Sequence, residues 1–262
     1  MDDYALMCTN LTLDDAQAGT YTPFERIFIL IVVPVITLIG VSTNGVFLHV
    51  IYCIPSMRTT TNFYLANMAV ADAVLLLVTT MNYLFTFFKS PINHGYPFNR
   101  SGCVMSLLVI YVFSYASVVF LTLVALERYQ AVCKPLAYRQ RTVGQQPLST
   151  NIKLTLSTWI ILLGIVASPV SFARVERSCY VWPQQEPFLS YPTWHQRCVW
   201  SPWSFIVLDA LDIGLFFTAL VINCMVYLRI VQQLNKRYRP SKCKGKSGAV
   251  ASGHVSRMLC IK

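Results

Sequence analysis

The chain has 262 residues, a formal net charge of +10, a hydrophobic fraction of 55% and a charged fraction of only 12%. Soluble domains carry about 25% charged residues, so this composition, with a mean hydropathy of +0.52, excludes an ordinary soluble domain and indicates a membrane protein. The positive charge does not indicate a nucleic-acid partner, because it is concentrated in one connecting segment and in the C-terminal part of the chain.

Five segments are long and apolar enough to cross a bilayer, since about 20 residues at about 1.5 Å each span a hydrocarbon layer of about 30 Å. They are continuous rather than alternating, which favours helices over a barrel. The segments are Ile27–Tyr52, Phe63–Phe88, Cys103–Cys133, Ile152–Ala173 and Phe205–Val231. The predicted fold is an all-α membrane protein with five transmembrane helices.

Residues 1–26 are predicted to form an extracellular tail. Met1–Glu25 holds five acidic residues and no basic one. It lacks the apolar core of a cleavable signal peptide, so the first apolar segment would act as the signal anchor. Asn10 begins a glycosylation sequon in this tail, and Asn99 begins another after the second segment. Both sequons would then lie outside the cell.

The basic residues predict which side of the plasma membrane each end occupies. Eight Lys or Arg and no acid follow Leu234, and four more basic residues lie between the end of the third segment and the first turn of the fourth: Lys134, Arg139, Arg141 and Lys153. Positive loops stay cytoplasmic, so residues 27–233 would hold the spans and residues 234–262 a basic cytoplasmic loop. Attraction to anionic membrane lipid accounts for such a basic segment.

Two positions inside the apolar segments carry unusual polar residues. Asn44 lies beside Gly45 in the first segment, and Asp72 lies deep in the second. A carboxylate at that depth is costly, which makes it a functional-site hypothesis. The alternative is a protonated, hydrogen-bonded structural Asp. Pro169 is expected to kink or end the fourth helix, because it removes a backbone hydrogen bond.

The long loop before the fifth segment contains two alternating pieces, residues 177–181 and 195–200, which predict a hairpin. It also carries Arg174, Arg177 and Arg197, which weakens the charge contrast between the two sides. Four cysteines fall on the predicted outer side, where disulfides persist: Cys8, Cys103, Cys179 and Cys198. Spacing alone leaves all three pairings open.

The markers of five helices together resemble the rhodopsin-like (class A) G-protein-coupled receptors. Cys103 opens the third segment, and Glu127, Arg128 and Tyr129 close it, with Arg128 25 residues after Cys103. The other markers are Asn44, Asp72, Pro135, Leu136, Trp159, Pro169 and Tyr227. The long loop, the tail with its sequon and the sequence ERYQAVCKPL are similar to the neuropeptide-receptor group.

The resemblance implies roles for these residues. Cys103 would pair with Cys198, which leaves Cys8 and Cys179 as a second pair. Asp72, with Asn44 and Ser117, would form the family's sodium-binding cluster, and oxygen ligands suit a hard cation. No other cofactor or metal is implied.

The same resemblance implies an inner switch at the end of the third segment. Arg128 would pair with Glu127 at rest and meet a heterotrimeric G protein when active, beside Tyr129 and Tyr227. Pro135 and Leu136 would lie in the inner loop that docks the G protein.

The ligand implied is an extracellular peptide. Amine receptors carry an Asp where this chain has Ile110, which argues against an amine. Asp209 and Asp212 lie three residues apart, on one helix face, where they would meet a basic group of the ligand or, alternatively, the loop arginines. The candidate pocket comprises Ile110, Tyr111, Ser114, Tyr115, Asp209 and Asp212, although aromatic stripes also serve packing.

Two departures from the family stand out. Ala219 occupies the usual proline position of the fifth helix, and the sixth and seventh helices of the seven-helix bundle are missing. Residues 255–262 resemble the start of a sixth helix that is cut off. The chain would thus be a truncated receptor or, alternatively, a non-signalling isoform that oligomerises with full-length receptors or retains them in the endoplasmic reticulum. No HExxH or GxSxG motif or metal-spaced His cluster occurs, so no enzyme is predicted.

Overall fold

The computed structural model describes residues 8–93, 95–144 and 147–238. Its helices are α1 (Leu13–Ala18), α2 (Pro23–Ile27), α3 (Val33–Cys53), α4 (Thr60–Lys89), α5 (Arg100–Cys133), α6 (Pro135–Gly144), α7 (Pro147–Ser171) and α8 (Pro202–Tyr238). A π-helical turn, Phe28–Val32, joins α2 to α3. The strands are β1 (Thr9–Asn10), β2 (Arg174–Val181) and β3 (Trp194–Val199).

Five helices in the described residues are long and apolar enough to cross a membrane: Pro23–Cys53, Thr60–Lys89, Arg100–Cys133, Thr150–Ser171 and Pro202–Lys236. They coincide with the five predicted segments, which confirms the predicted fold class. We refer to them as spans 1 to 5. The expected sixth-helix start at residues 255–262 lies outside the described residues.

Each span begins a few residues before the predicted boundary, and two spans extend into regions that were predicted as tail or loop. Span 1 begins at Pro23, inside the predicted tail, because Thr22 and Glu25 form a capping box and Pro23 suits the first turn. Span 5 continues as helix to Tyr238, inside the predicted basic loop. Pro169 does not stop α7 at once, since the helix ends two residues later at Ser171.

Span 3 is the centre of the bundle, because α5 packs against α4, α7 and α8. Three of its fully buried residues, Tyr115, Ala116 and Phe120, belong to one core with residues of these three helices. Hydrogen bonds between side chains join neighbouring spans within this packing. They are Thr37–Thr80, Asp72–Ser117, Tyr64–Asn151, Asn67–Trp159 and Thr122–Asn223.

One end of the bundle is covered by a small folded unit, which we call the hairpin cap: residues 8–21, 90–93 and 174–199. β2 and β3 form the predicted antiparallel hairpin, and β1 adds to β2 in parallel. A second apolar cluster joins α1, the loop between α4 and α5, and the segment between β2 and β3. It consists of Ala16, Ile92, Trp182 and Phe188. We call this side the hairpin end and the opposite side the Arg128 end.

Two disulfides tie the hairpin cap together. Cys8 is bonded to Cys179, and Cys103, at the start of span 3, is bonded to Cys198. These are the pairs that the family resemblance implied. One bond fixes the N-terminal segment to β2, and the other fixes β3 to the top of the bundle core, where Cys103 is fully buried.

Candidate functional site

An acidic and aromatic cluster lies between span 3 and span 5, next to the end of β3. The Tyr111 ring lies 5.8 Å from the Tyr115 ring and 5.8 Å from the Trp200 ring, both in edge contacts. Asp209 and Asp212 of α8 interact electrostatically with both tyrosine hydroxyls, Asp212 more strongly. We call these five residues the Asp212 cluster.

Helix periodicity explains how the Asp212 cluster forms. Tyr111 and Tyr115 are four residues apart, and Asp209 and Asp212 are three apart, so each pair shares one face of its helix. The packing of α5 on α8 brings these faces together. Four residues of the predicted ligand pocket are therefore neighbours, and Trp200 adds a ring that the sequence did not single out. Trp200 lies two residues after Cys198, and this position was the feature of the sequence that could have identified it as part of the site.

Neither acid of the Asp212 cluster is neutralised by a described cation. In the described residues the one ion pair is Arg174–Glu176, at 2.8 Å, so the alternative in which Asp209 and Asp212 contact loop arginines is not realised. The Tyr115 side chain is only 2% exposed, and Asp212 is the main polar neighbour of its hydroxyl.

Ile110 does not belong to this cluster. It lines a separate cavity of 550 Å³ between spans 1, 2 and 3, together with Tyr21, Glu25 and Asn82. Ser114 is half-buried and lies one helical turn after Ile110. The predicted single pocket is thus divided, because Ile110 lies on a different face of α5 from the two tyrosines.

The hairpin itself carries a cationic surface with one buried imidazole. The Arg197 guanidinium lies 5.6 Å from the centre of the Tyr180 ring, and His195 stacks on the same ring at 4.1 Å. Burial, and secondarily the charge of Arg197, lowers the pKa of His195 below its usual value. The hairpin therefore holds a neutral histidine at physiological pH.

The predicted sodium cluster is only partly assembled. Ser117 donates a 2.6 Å hydrogen bond to Asp72. Asn44 donates instead to the Gly40 carbonyl of its own helix, at 2.8 Å. Two of the three predicted ligands are therefore in contact. Their carboxylate and hydroxyl oxygens are the donor types that a hard cation prefers.

The Arg128 end presents the residues of the predicted switch to solvent. Arg128 is exposed, Leu136 is 80% exposed and Tyr227 is 67% exposed. Glu127 and Tyr129 are half-buried, and no ion pair joins Glu127 to Arg128 in the described chain. The pairing that the resemblance implies for the resting receptor is therefore not seen between the described residues and stays a prediction.

The loop after span 3 is also more ordered than expected. Pro135 is the first residue of helix α6, a position that suits proline because its missing N–H has no helical acceptor there. Pro135 and Leu136 therefore lie on a helix that follows Lys134 directly. Arg128, on α5, and the exposed Leu136, on α6, are therefore separated by the short break between the two helices.

The fold and these sites together define a helical membrane protein of the receptor type, with an acidic and aromatic cluster at one end and an exposed arginine, Arg128, at the other. The chain matches the family model "7 transmembrane receptor (rhodopsin family)" over residues 43–262. It therefore belongs to the rhodopsin family of seven-transmembrane receptors. This membership confirms that the chain is a multi-pass membrane protein from a family of receptors rather than of enzymes.

The chain is similar in sequence to receptors that are named for different ligands. The chain is 28% identical to the human Neuropeptides B/W receptor type 1 over 71% of this chain and 55% of the receptor. It is 30% identical to the Rattus norvegicus Somatostatin receptor type 1 over 62% of this chain and 39% of that one. It is 23% identical to the human Lysophosphatidic acid receptor 6 over 86% of this chain and 60% of that one. The chain thus spans 39% to 60% of these relatives' lengths.

Proposed function

We propose that the chain is the ligand-binding part of a receptor for an extracellular peptide that carries a basic group. The observation that carries this proposal is the Asp212 cluster, in which two carboxylates without a described cation lie beside aromatic rings. A lysine or arginine side chain of a ligand would pair with Asp212. It would also contact the faces of Tyr111 and Trp200.

The names of the relatives leave both a peptide and a lipid ligand open, since two refer to peptides and one to lysophosphatidic acid. The charge of the Asp212 cluster favours the peptide. An acidic headgroup at this place would meet Asp209 and Asp212, and like charges at close range cost several kcal/mol of binding energy.

We propose that the hairpin end faces outward and the Arg128 end faces the cytoplasm, where a heterotrimeric G protein would bind. The disulfides of the hairpin cap suit an oxidising compartment. Exposed Leu136 and Tyr227 supply apolar contact area beside Arg128. The sodium ion, where bound, would be held by Asp72 and Ser117 and would supply a charge that compensates the carboxylate.

The experiment that tests the ligand class uses the receptor expressed from its native transcript and a library of synthetic neuropeptides. A peptide that activates the receptor is compared with an analogue in which its Lys or Arg is replaced by norleucine. We expect that loss of the basic group and Asp212→Asn each weaken activation by about tenfold, as for the loss of one partner of a charge pair between ligand and receptor. The two changes together should do no more harm than either alone.

Glu176→Gln is the matched control, because it removes an acid that is already paired with Arg174 on the hairpin. Additive losses in the double change would show that the basic group binds elsewhere. Separately, Arg128→Gln should abolish G-protein activation while the same peptide still binds. Unaltered activation would contradict the assignment of the Arg128 end.

A further inference from the structure

A cavity of 490 Å³ lies on the hairpin, and its described lining shares no residue with the Asp212 cluster. Arg177, Trp194, His195 and Gln196 line it. Arg177 and Gln196 are partners in the register of β2 and β3, and Trp194 is the partner of Cys179. Residues two apart on a strand share a face, so these two pairs lie side by side on one face of the hairpin, which we call the cavity face.

The groups on the cavity face suit a carboxylate with an apolar neighbour. Arg177 is exposed and is paired with no acid in the part of the chain that the structure describes. Its guanidinium can bind a carboxylate through two parallel N–H bonds, and the Gln196 amide is a further donor. Trp194 is 50% exposed and offers apolar surface beside them. Glu176 lies on the opposite face, where it pairs with Arg174 at 2.8 Å.

The first disulfide brings the N-terminal segment to the cavity face. Residues 1–7 lie outside the described residues, but the bond from Cys8 to Cys179 fixes the point at which they join the hairpin. β1 runs parallel to β2. At Cys8 the chain, followed towards its N-terminus, therefore leads along β2 from Cys179 towards Arg177.

The residues next to Cys8 are suited to cover Trp194. Leu6 and Met7 are apolar, and Trp194 is the register partner of Cys179, to which Cys8 is bonded. Contact between these side chains removes an exposed indole from water, which is favourable.

The acids further along the segment are within reach of Arg177. Asp2 and Asp3 carry its charge, and residues 1–8 contain no Lys or Arg. The five residues from Cys8 to Asp3 span at most about 17 Å, whereas Arg177 lies two strand residues, or about 7 Å, beyond Cys179. The order of groups along the segment, apolar and then acidic, thus matches the order on the cavity face.

The disulfide also makes a weak pairing effective. An exposed ion pair contributes little stability on its own. Because Cys8 is bonded to Cys179, docking of the segment is an intramolecular step, with an effective concentration in the millimolar range. An acidic group of another molecule would have to compete with this local concentration, so the chain's own segment is the favoured occupant.

We propose that the acidic segment of residues 2–7 docks on the cavity face, with its apolar residues on Trp194 and its carboxylates on Arg177. The docked segment closes the cavity and neutralises the Arg177 charge at the hairpin end. It is a built-in occupant, which an acidic partner must displace in order to reach the hairpin. This docking does not depend on the proposed peptide ligand.

Carbodiimide cross-linking of the full chain in detergent micelles tests the contact. Arg177→Lys keeps the positive charge and supplies an amine, which the reagent joins to a carboxylate in contact with it. Peptide mass spectrometry should find the new lysine linked to Asp2 or Asp3. Arg174→Lys is the matched control, because it should link to Glu176 on the opposite face and not to the segment.

The role of the tether is tested in the same experiment. Replacing Cys8 and Cys179 by Ser in the Arg177→Lys background should lower the yield of the link at least about tenfold, because the effective concentration is lost. An undiminished yield would overturn the tethered docking. The proposal also fails if the segment does not link to the new lysine while the control links to Glu176, or if it links equally to both lysines.

Hydrogen exchange measures the effect of the carboxylates on the hairpin. Asp2→Asn combined with Asp3→Asn should speed exchange of the β2 amides near Arg177 about two- to fivefold, as for the loss of an exposed ion pair. Asp14→Asn is the control, because it neutralises an exposed acid of α1 beyond Cys8, and it should leave this exchange unchanged. Unchanged exchange in the double variant, or equal acceleration by Asp14→Asn, would contradict the pairing with Arg177.

Discussion

Ser117 donates a hydrogen bond of 2.6 Å to Asp72, and this bond crosses the interface between spans 2 and 3. Its two partners are 45 residues apart in sequence. A carboxylate inside a membrane bundle is costly unless it is paired, so the hydroxyl gives Asp72 a defined place in the core. The bond also leaves the second carboxylate oxygen of Asp72 and the lone pairs of the Ser117 hydroxyl available for a cation.

Removing the Ser117 hydroxyl should therefore destabilise the bundle. Ser117→Ala is expected to lower the free energy of unfolding by about 0.6–2 kcal/mol, the range spanned by measurements on hydrogen bonds between membrane helices. Thermal unfolding in detergent measures this change. Ser157→Ala is the control, because that exposed hydroxyl bonds only to a carbonyl of its own helix, and it should have almost no effect.

The same measurement tests the sodium proposal. If Asp72 and Ser117 hold sodium, replacing choline chloride by sodium chloride should raise the unfolding temperature of the unaltered chain. The rise should disappear in Asp72→Asn and shrink in Ser117→Ala. An equal rise in all three proteins would show that the salt effect arises elsewhere.

The two disulfides should stabilise different parts of the hairpin cap. Replacing Cys8 and Cys179 by Ser should release the segment before span 1 from β2 and leave the hairpin on the bundle. Limited proteolysis should then cut residues 11–22 faster. Replacing Cys103 and Cys198 should instead release the hairpin from span 3 and reduce peptide binding, because Trp200 follows β3 directly and contacts Tyr111. Equal proteolysis patterns for the two double variants would contradict this division of roles.

The spans could be predicted from sequence because each is a continuous apolar run, and the hairpin could be predicted because its residues alternate. The contacts between helices could not. Tyr64 and Asn151 are 87 residues apart, and Thr122 and Asn223 are 101 apart, so nothing local marks them as partners. The family resemblance supplied the cysteine pairs, which spacing alone had left open.

The sequence predicted only part of each site, because the sites also depend on contacts between helices that are far apart in sequence. Helix periodicity predicts that Asp209 lies near Asp212 and that Tyr111 lies near Tyr115. Whether the two pairs meet depends on which face of α5 packs against α8, and the sequence does not show this. The same packing also decides that Ile110 faces a different cavity.

The sequon at Asn99 allows glycosylation to be separated from helix capping. Asn99 accepts a hydrogen bond from the Gly102 N–H at 2.9 Å and so caps α5. Asn99→Gln should remove both the glycan and the cap and cost about 1 kcal/mol of stability. Ser101→Ala should remove the glycan alone. Enzymatic deglycosylation followed by gel mobility and thermal unfolding distinguishes the two variants. A glycan at Asn99 would also establish that the hairpin end faces outward.

His195 should make the hairpin cap sensitive to acid. The side chain is 7% exposed, neither ring nitrogen has a hydrogen-bond partner in the described residues, and its pKa is lowered by burial and by Arg197. The folded cap therefore takes up a proton less readily than the unfolded chain does. Its stabilising contribution is complete above the unfolded pKa of about 6.5 and is lost as the pH falls towards the lower folded pKa.

Hydrogen exchange of the amides in β2 and β3 measures this loss, expressed as protection relative to the unfolded rate at each pH. Protection should fall below pH of about 6.5 by at most about tenfold per pH unit, which corresponds to one proton. His195→Leu should remove this pH dependence, because leucine fills the space beside Tyr180 without titrating. His49→Leu, at an exposed position of span 1, should leave it unchanged. If His195→Leu lost protection in acid as steeply as the unaltered chain, another group would be responsible.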